Sequence, residues 1–129
     1  MKLGRPSPYA HVADNDLAVG MFVEYLSKSP IWNESVVFIL EDDAQNGPDH
    51  VDAHRSPAYI AGGFVKRGFV DHTPYTTTSF LKTIEMILGL QPMSQHDAGA
   101  NTAWRCFEKT ANPLGFVAKP LQWDINEKN

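Results

Sequence analysis

The 129-residue chain has one cysteine, no long hydrophobic run and no excess of positive charge. A single thiol cannot form an intramolecular disulfide or an all-thiolate zinc site, so Cys106 is expected to pack as a small hydrophobic residue. A net charge of -4 argues against a dedicated nucleic-acid-binding protein, which needs a basic surface. No apolar segment reaches the ~20 residues that cross a bilayer. We therefore predict no membrane span and no nucleic-acid partner.

The first eight residues also lack the apolar segment of a secretory signal. Two interpretations follow, a cytosolic protein or a chain that has lost its own beginning. What the sequence does contain is the composition of a globular domain, with 43% hydrophobic and 20% charged residues. This composition excludes collagen, coiled coil and extensive disorder.

Two amphipathic helices are predicted from the spacing of apolar residues. The first begins at a cap formed by Asp14 or Asn15 and ends before Pro30. The second begins at one of the threonines Thr76–Thr78 and ends at Gly89, a typical helix C-terminal residue.

Two strands are predicted between these helices. Val36–Leu40 is apolar throughout, so it has no face for water and is expected in the middle of a parallel or mixed sheet, buried on both faces. Ala58–Ala61, followed by two glycines, predicts the second strand. The order helix, strand, strand, helix favours an α/β fold, which we expect to be a partial three-layer αβα sandwich over residues 1–129.

The segment between the two strands is dense in metal-binding side chains. Residues 41–55 contain five carboxylates and two imidazoles. Asp42 and Asp43 follow the first strand, and ligands of α/β sheets bind beyond the carboxyl ends of strands. Adjacent carboxylates repel unless a cation or proton separates them, which favours a divalent metal. His54, just before the second strand, can reach the same crevice; a solvated acidic loop is the alternative.

Two common metal motifs do not fit this segment. Counted from Asp42, an EF-hand loop would need an oxygen ligand at Ala44 and a bidentate glutamate at Ala53. The His-Glu-x-x-His sequence of zinc proteases is absent.

Residues 42–55 resemble a signature of the phosphoesterase family in the alkaline phosphatase superfamily, the group of bacterial phospholipase C-like and acid phosphatase enzymes. The resemblance covers most of residues 10–110 and extends to bacterial proteins that join a β-propeller to a C-terminal phosphoesterase domain. Four further segments carry it, namely Phe64–Gly68, Val70–Thr73, Tyr75–Ser79 and Leu88–Ser94.

The resemblance implies an alkaline phosphatase-like fold and hydrolysis of a phosphoester substrate at two divalent metal ions. It assigns Asp42 and Asp43 to one metal and His54 to the other, with His50 as a possible contact to a metal or the phosphate. Two such cations neutralise phosphate oxygens and stabilise the attacking and leaving oxygens. Carboxylates with imidazole suit zinc, manganese or iron, whereas oxygen ligands alone suit calcium or magnesium.

Arg55 is a further candidate for the substrate contact. Its planar guanidinium can pair with a phosphate oxygen. A salt bridge to Asp49 or Asp52 is the alternative. The resemblance also implies a periplasmic or secreted bacterial parent protein.

The chain departs from the family's pattern in two ways. Thr76–Thr77 stand where phospholipase C-type relatives carry an Asp-His pair, so no ligand is assigned there. The family's hydroxyl nucleophile, its first metal-binding acid and a further Asp/His motif are expected upstream of Arg5. We therefore expect the chain to be the C-terminal part of a catalytic domain, with its nucleophile unknown.

Such a part is expected to fold but to be inactive alone and to bind metal weakly. The surface left by the missing N-terminal part is expected to promote self-association. The alternative function is a non-catalytic binding or structural module built on a remnant of the phosphoesterase fold.

Overall fold

The structure, a computed structural model, describes residues 4–42 and 56–129. It has two compact units, one formed by the chain up to Glu34 together with Pro113–Asn129, the other by Ser35–Asn112. The elements in chain order are helix α1 (Pro8–Ser27), a 3-10 turn (Trp32–Glu34), strands β1 (Val36–Leu40) and β2 (Ala58–Gly62), helices α2 (Thr77–Leu88) and α3 (Gln95–Ala98), and a second 3-10 turn (Trp104–Cys106).

The second unit combines helices with a small sheet, which confirms the mixed α/β class. β1 and β2 occupy the predicted segments and pair antiparallel, with Val36 opposite Gly62 and Leu40 opposite Ala58. Among the residues that the structure describes, no third strand joins them and no parallel pairing occurs. The three-layer sandwich itself stays a prediction.

The predicted burial of β1 on both faces is wrong for the described residues. Val36–Ile39 are half-buried and Leu40 is exposed. In the described part of the chain, β2 is the one strand beside β1. Helix α2 covers β1 through the edge-to-face contact of the Phe38 and Phe80 rings, whose centroids lie 5.9 Å apart. An apolar run reveals that a strand avoids water, but the number of layers that cover it depends on distant parts of the chain.

Helix α2 has the ends that the sequence predicts. At its start the Thr76 backbone N–H donates to Ser79 Oγ at 3.1 Å, which satisfies a group that the helix itself leaves unpaired. At its end Gly89 has a φ of 68°, and the Leu90 N–H donates to the Glu85 carbonyl at 2.8 Å, the bond pattern that closes many helices. In the middle, Thr83 Oγ1 accepts from the Ala103 N–H at 2.9 Å and so ties a later loop to the helix.

Helix α1 in the first unit begins seven residues earlier than predicted. Ser7 caps it by accepting from the Ala10 N–H at 3.1 Å, and Pro8 occupies the first turn. Proline lacks only an N–H that would be unpaired there, so it starts a helix rather than extending the chain before it. The predicted end before Pro30 is confirmed.

The C-terminal segment of the first unit, Pro113–Asn129, runs along α1. The Phe116 N–H donates to Ser27 Oγ at 2.7 Å, and the Ala118 N–H donates to Glu24 Oε2 at 2.9 Å. Part of the apolar stripe of α1 remains in solvent, since Phe22 and Tyr25 are exposed. The predicted self-association stays a prediction, and an exposed stripe of this kind is a surface on which it can occur.

Phe80→Ala is expected to lower the free energy of unfolding by about 3–5 kcal/mol, because it removes a buried ring from its packing against Phe38 and Tyr75. Met86→Ala, on the exposed side of the same helix, is the control and should change stability by about 0.5 kcal/mol or less. Phe80 is 6% exposed and Met86 63%. Urea unfolding followed by circular dichroism measures both; equal losses would mean that the buried face of α2 is misidentified.

Candidate functional site

A cleft of about 560 Å³ lies in the second unit where β1 ends and β2 begins. Its volume is in the usual range for small-molecule sites, ~300–1,000 Å³. Leu40, the last residue of β1, lines one side, and Ala58, the first residue of β2, lies across from it in the antiparallel pair. The cleft therefore opens at the strand end where the sequence predicts a ligand.

The residues that line the cleft fall by chemistry into two sets, here called its apolar wall and its polar side. The apolar wall includes Tyr59, Ile60, Val65, Phe69, Val70 and Phe80. The polar side includes Lys66, Asp71, Tyr75, Thr76, Thr77 and Cys106. This composition suits a ligand that carries an organic group next to a polar or anionic one.

Asp71 organises the polar side by a local turn. Its Oδ1 accepts from the Thr73 N–H at 3.0 Å and from Thr73 Oγ1 at 2.7 Å, and its Oδ2 accepts from the Tyr75 hydroxyl at 2.9 Å. The bonds from Thr73, with those from Tyr75 and the charge of Arg105, lower the pKa of Asp71 from 3.8 to about 2, against the effect of burial. Asp71 is thus an ion that fixes the position of Tyr75.

Tyr75 and Cys106 are held in their neutral forms. Burial, followed by interactions with Asp71, raises the pKa of the Tyr75 phenol. Burial and the Asp71 charge also raise the pKa of the Cys106 thiol, whose Sγ lies 3.9 Å from Asp71 Oδ2. A thiol is a nucleophile as its thiolate, so Cys106 in this setting is a packed, half-buried group and not an activated nucleophile.

Lys66 is the one cationic side chain on the cleft wall, as far as the chain is described. Its Nζ lies 4.9 Å from the centre of the Phe69 ring, a cation–π arrangement that keeps the amine beside the apolar wall. Its backbone N–H donates to the Cys106 carbonyl at 2.8 Å, which fixes the base of the side chain. A positive charge here attracts an anionic ligand.

The predicted metal ligands are described only in part. Asp42 is exposed and lies two residues beyond Leu40 in the sequence. The other predicted site residues, Asp43, His50, His54 and Arg55, lie outside the described residues. In residues 4–42 and 56–129 no three His, Cys, Asp or Glu side chains come together in a way that could hold a metal. The predicted ligand set therefore stays a prediction.

Sequence reasoning did not assign Lys66, Asp71 and Tyr75 to a site. All three fall within segments that carry the family resemblance, yet their meeting in one cleft depends on the turn at residues 71–75 and on the loop that brings Cys106 back to Lys66. His72, between Asp71 and Thr73, is exposed.

The chain was compared with models of known protein families and with curated proteins. The model of the phosphoesterase family matches residues 6–91, a range that includes β1, β2, α2 and most of the cleft. No curated protein matches the chain.

Among the described helices, none has the length and apolar character that crossing a membrane requires.

Asp71→Asn is expected to reduce stability at neutral pH and to flatten its acid dependence. In the native protein Asp71 stays ionised below 3.8, the usual pKa of an aspartate. Its carboxylate therefore stabilises the fold above pH 3.8, and this stabilisation is lost as the pH falls towards about 2. As pH falls through that window, protonation of Asp71 alone raises the unfolding constant by up to about tenfold per pH unit.

Asp124→Asn is the matched control, because exposed Asp124 makes only the equivalent local bond, from the Asn126 N–H to its Oδ1 at 2.9 Å. Chemical unfolding at a series of pH values compares the three proteins. An acid slope that is the same in the Asp71 variant and the wild type would show that the Asp71 network does not stabilise the fold.

Proposed function

The chain belongs to the phosphoesterase family, whose model matches residues 6–91 of its 129 residues, and we propose that it serves in metal-dependent hydrolysis of phosphoesters. The family match is the observation that carries this proposal. The cleft supports the proposal, since its lining comes almost entirely from the matched residues and includes the last residue of β1.

The proposed metal ligands are Asp42 and Asp43 for one ion and His54 for the other. Asp42 fits this role because it is an exposed carboxylate directly beyond the strand end that borders the cleft. Carboxylate and imidazole donors together suit zinc or manganese, while the carboxylates alone suit magnesium or calcium. Bound divalent ions would neutralise the phosphate oxygens of the substrate.

The residues of the cleft would hold the substrate. The Lys66 amine would attract the anionic phosphoester, and the hydroxyls of Thr76 and Thr77 can donate hydrogen bonds to its oxygens. The wall that includes Phe69 would take the organic group. His50 and Arg55 remain the candidates for a further contact with the phosphate.

The proposed ligand set is incomplete for catalysis. A catalytic metal is usually held by three protein ligands and keeps an open position for water or substrate. Two ligands for one ion and one for the other fall short of that number. We therefore propose that this chain contributes part of a two-metal site and that the remaining ligands and the nucleophile come from outside the proposed set.

Metal titration tests the ligands separately from catalysis. Calorimetry with zinc, manganese, magnesium or calcium is expected to show weak binding that Asp42→Ala and His54→Ala each reduce by at least about tenfold, since even outer partners of metal ligands contribute ~10–100-fold. Asp124→Ala, an exposed carboxylate of the first unit, should leave binding unchanged. Equal binding by all four proteins would contradict the assignment.

Hydrolysis of an aryl phosphate and an aryl phosphodiester, with each metal, tests the function. The chain alone is expected to be inactive, and any longer protein that contains it is expected to be active and to lose activity on Asp42→Ala. Turnover by the chain alone would contradict the incomplete ligand set. Inactivity of the longer protein with every metal would instead favour the non-catalytic module.

A further inference from the structure

A pair of buried carboxyl groups lies between α2 and α3, away from the cleft lining. Glu85 of α2 is 3% exposed and Asp97 of α3 is 1% exposed. The two side chains are within hydrogen-bonding reach of each other. Two ionised carboxylates in such a place would repel strongly and would both lose their hydration, so this arrangement needs a physical explanation.

Asp97 has all the donors that a carboxylate needs. Its Oδ2 accepts from the Met93 N–H at 2.7 Å, and its Oδ1 accepts from the Ser94 hydroxyl. Ser94 is also the cap of α3, since its Oγ accepts from the His96 N–H at 3.2 Å. Asp97 is thus the charged centre of the turn at residues 93–97, and its bond from Ser94 is the main cause that lowers its pKa.

Glu85 has the opposite surroundings. Neither of its carboxylate oxygens has a hydrogen-bond donor from the described residues, although both are buried. An unpaired buried carboxylate is costly, and a proton removes the cost because the neutral carboxyl then becomes a donor. The acceptor within reach is Asp97.

We propose that Glu85 stays protonated above the pH at which an ordinary glutamate ionises and then donates a hydrogen bond to Asp97, so that the pair forms a pH-sensitive clasp between α2 and residues 90–99. Loss of the proton leaves two buried charges side by side and weakens the attachment of this segment to α2. The Leu90 N–H to Glu85 carbonyl bond, at 2.8 Å, remains, so the opening is local and begins beyond Leu90.

The groups that face Glu85 favour its neutral form on balance. Burial is the largest effect and raises the pKa of Glu85, and the hydrogen bond and charge of Asp97 raise it further. Lys82, from the same helix, and the Met93 N–H act in the opposite direction. From α3 and the turn before it, Asp97 is the charged group that acts on Glu85 in the described chain.

A proton explains the site better than a metal ion does. Both oxygens of Asp97 already accept hydrogen bonds, which leaves the two oxygens of Glu85 as the uncommitted ligands. Calcium takes 6–8 oxygen ligands and magnesium takes six, many more than this pair offers. A proton needs one donor atom and one acceptor.

The pH dependence of unfolding tests the proposal. Because the pKa of Glu85 is raised above 4.5 in the native protein, unfolding releases a proton between that value and the native pKa. Between these two pH values the unfolding constant of the wild type should therefore rise with pH by up to about tenfold per unit more than that of Glu85→Gln. Above the native pKa of Glu85 the unfolding constants of the two proteins should change equally with pH. Glutamine supports the clasp at every pH, because its amide always donates.

Glu108→Gln is the matched control, since Glu108 is an exposed glutamate of the same unit and should follow the wild type. Hydrogen exchange at one alkaline pH should be faster for residues 90–99 in the wild type than in Glu85→Gln. Identical pH dependence of the wild type and Glu85→Gln would overturn the proposal.

Infrared spectroscopy of the wild type tests the proton without relying on a variant. A protonated carboxyl band should persist above pH 4.5, where an ordinary glutamate ionises, and disappear at alkaline pH. Its absence above pH 4.5 would overturn the proposal. Stability that rises with added magnesium or calcium in the wild type but not in Glu85→Gln would replace the proton by a cation and overturn it as well.

Discussion

The edge-to-face contact of Phe38 with Phe80 holds α2 on the strand pair, and the rest of the second unit depends on where that helix lies. One turn before this contact, α2 places its capping threonines at the cleft. One turn after it, Thr83 receives the Ala103 N–H and so determines the path of the loop that carries Cys106 back to Lys66. A helix that shifted along the sheet would therefore change the cleft and the later loop together.

The cleft combines this long-range packing with one short-range device. The carboxylate of Asp71 gathers donors from Thr73 and Tyr75 within five residues, so the turn forms without help from distant elements. The packing decides where the turn lies relative to β1, and the hydrogen bonds decide how Tyr75 is oriented within it. Neutral Tyr75 and Cys106 add no charge to the polar side of the cleft, where Lys66 and ionised Asp71 are of opposite sign.

Local signals in the sequence were sufficient for β1, β2 and the ends of α2, because an apolar run, a capping threonine and Gly89 each act within a few residues. They were not sufficient for the start of α1, where Pro8 begins a helix instead of preceding it. The exposure of β1 and the meeting of Lys66 with Asp71 depend on chain segments far apart, and no local pattern contains that information. The metal ligands rest on resemblance alone, since most of them lie outside the described residues.

Asp71, Glu85 and Asp97 show that hydrogen-bond donors, more than burial, decide whether a carboxyl group of this chain is ionised. Asp97 is more deeply buried than Glu85, yet its pKa is lowered and that of Glu85 is raised. Asp71 and Asp97 each lie in a turn that directs N–H and hydroxyl groups at the carboxylate, whereas Glu85 projects from the middle of a helix, where backbone N–H groups are already paired. A helical acid that is buried in this way can be neutralised only by a proton or by a cation.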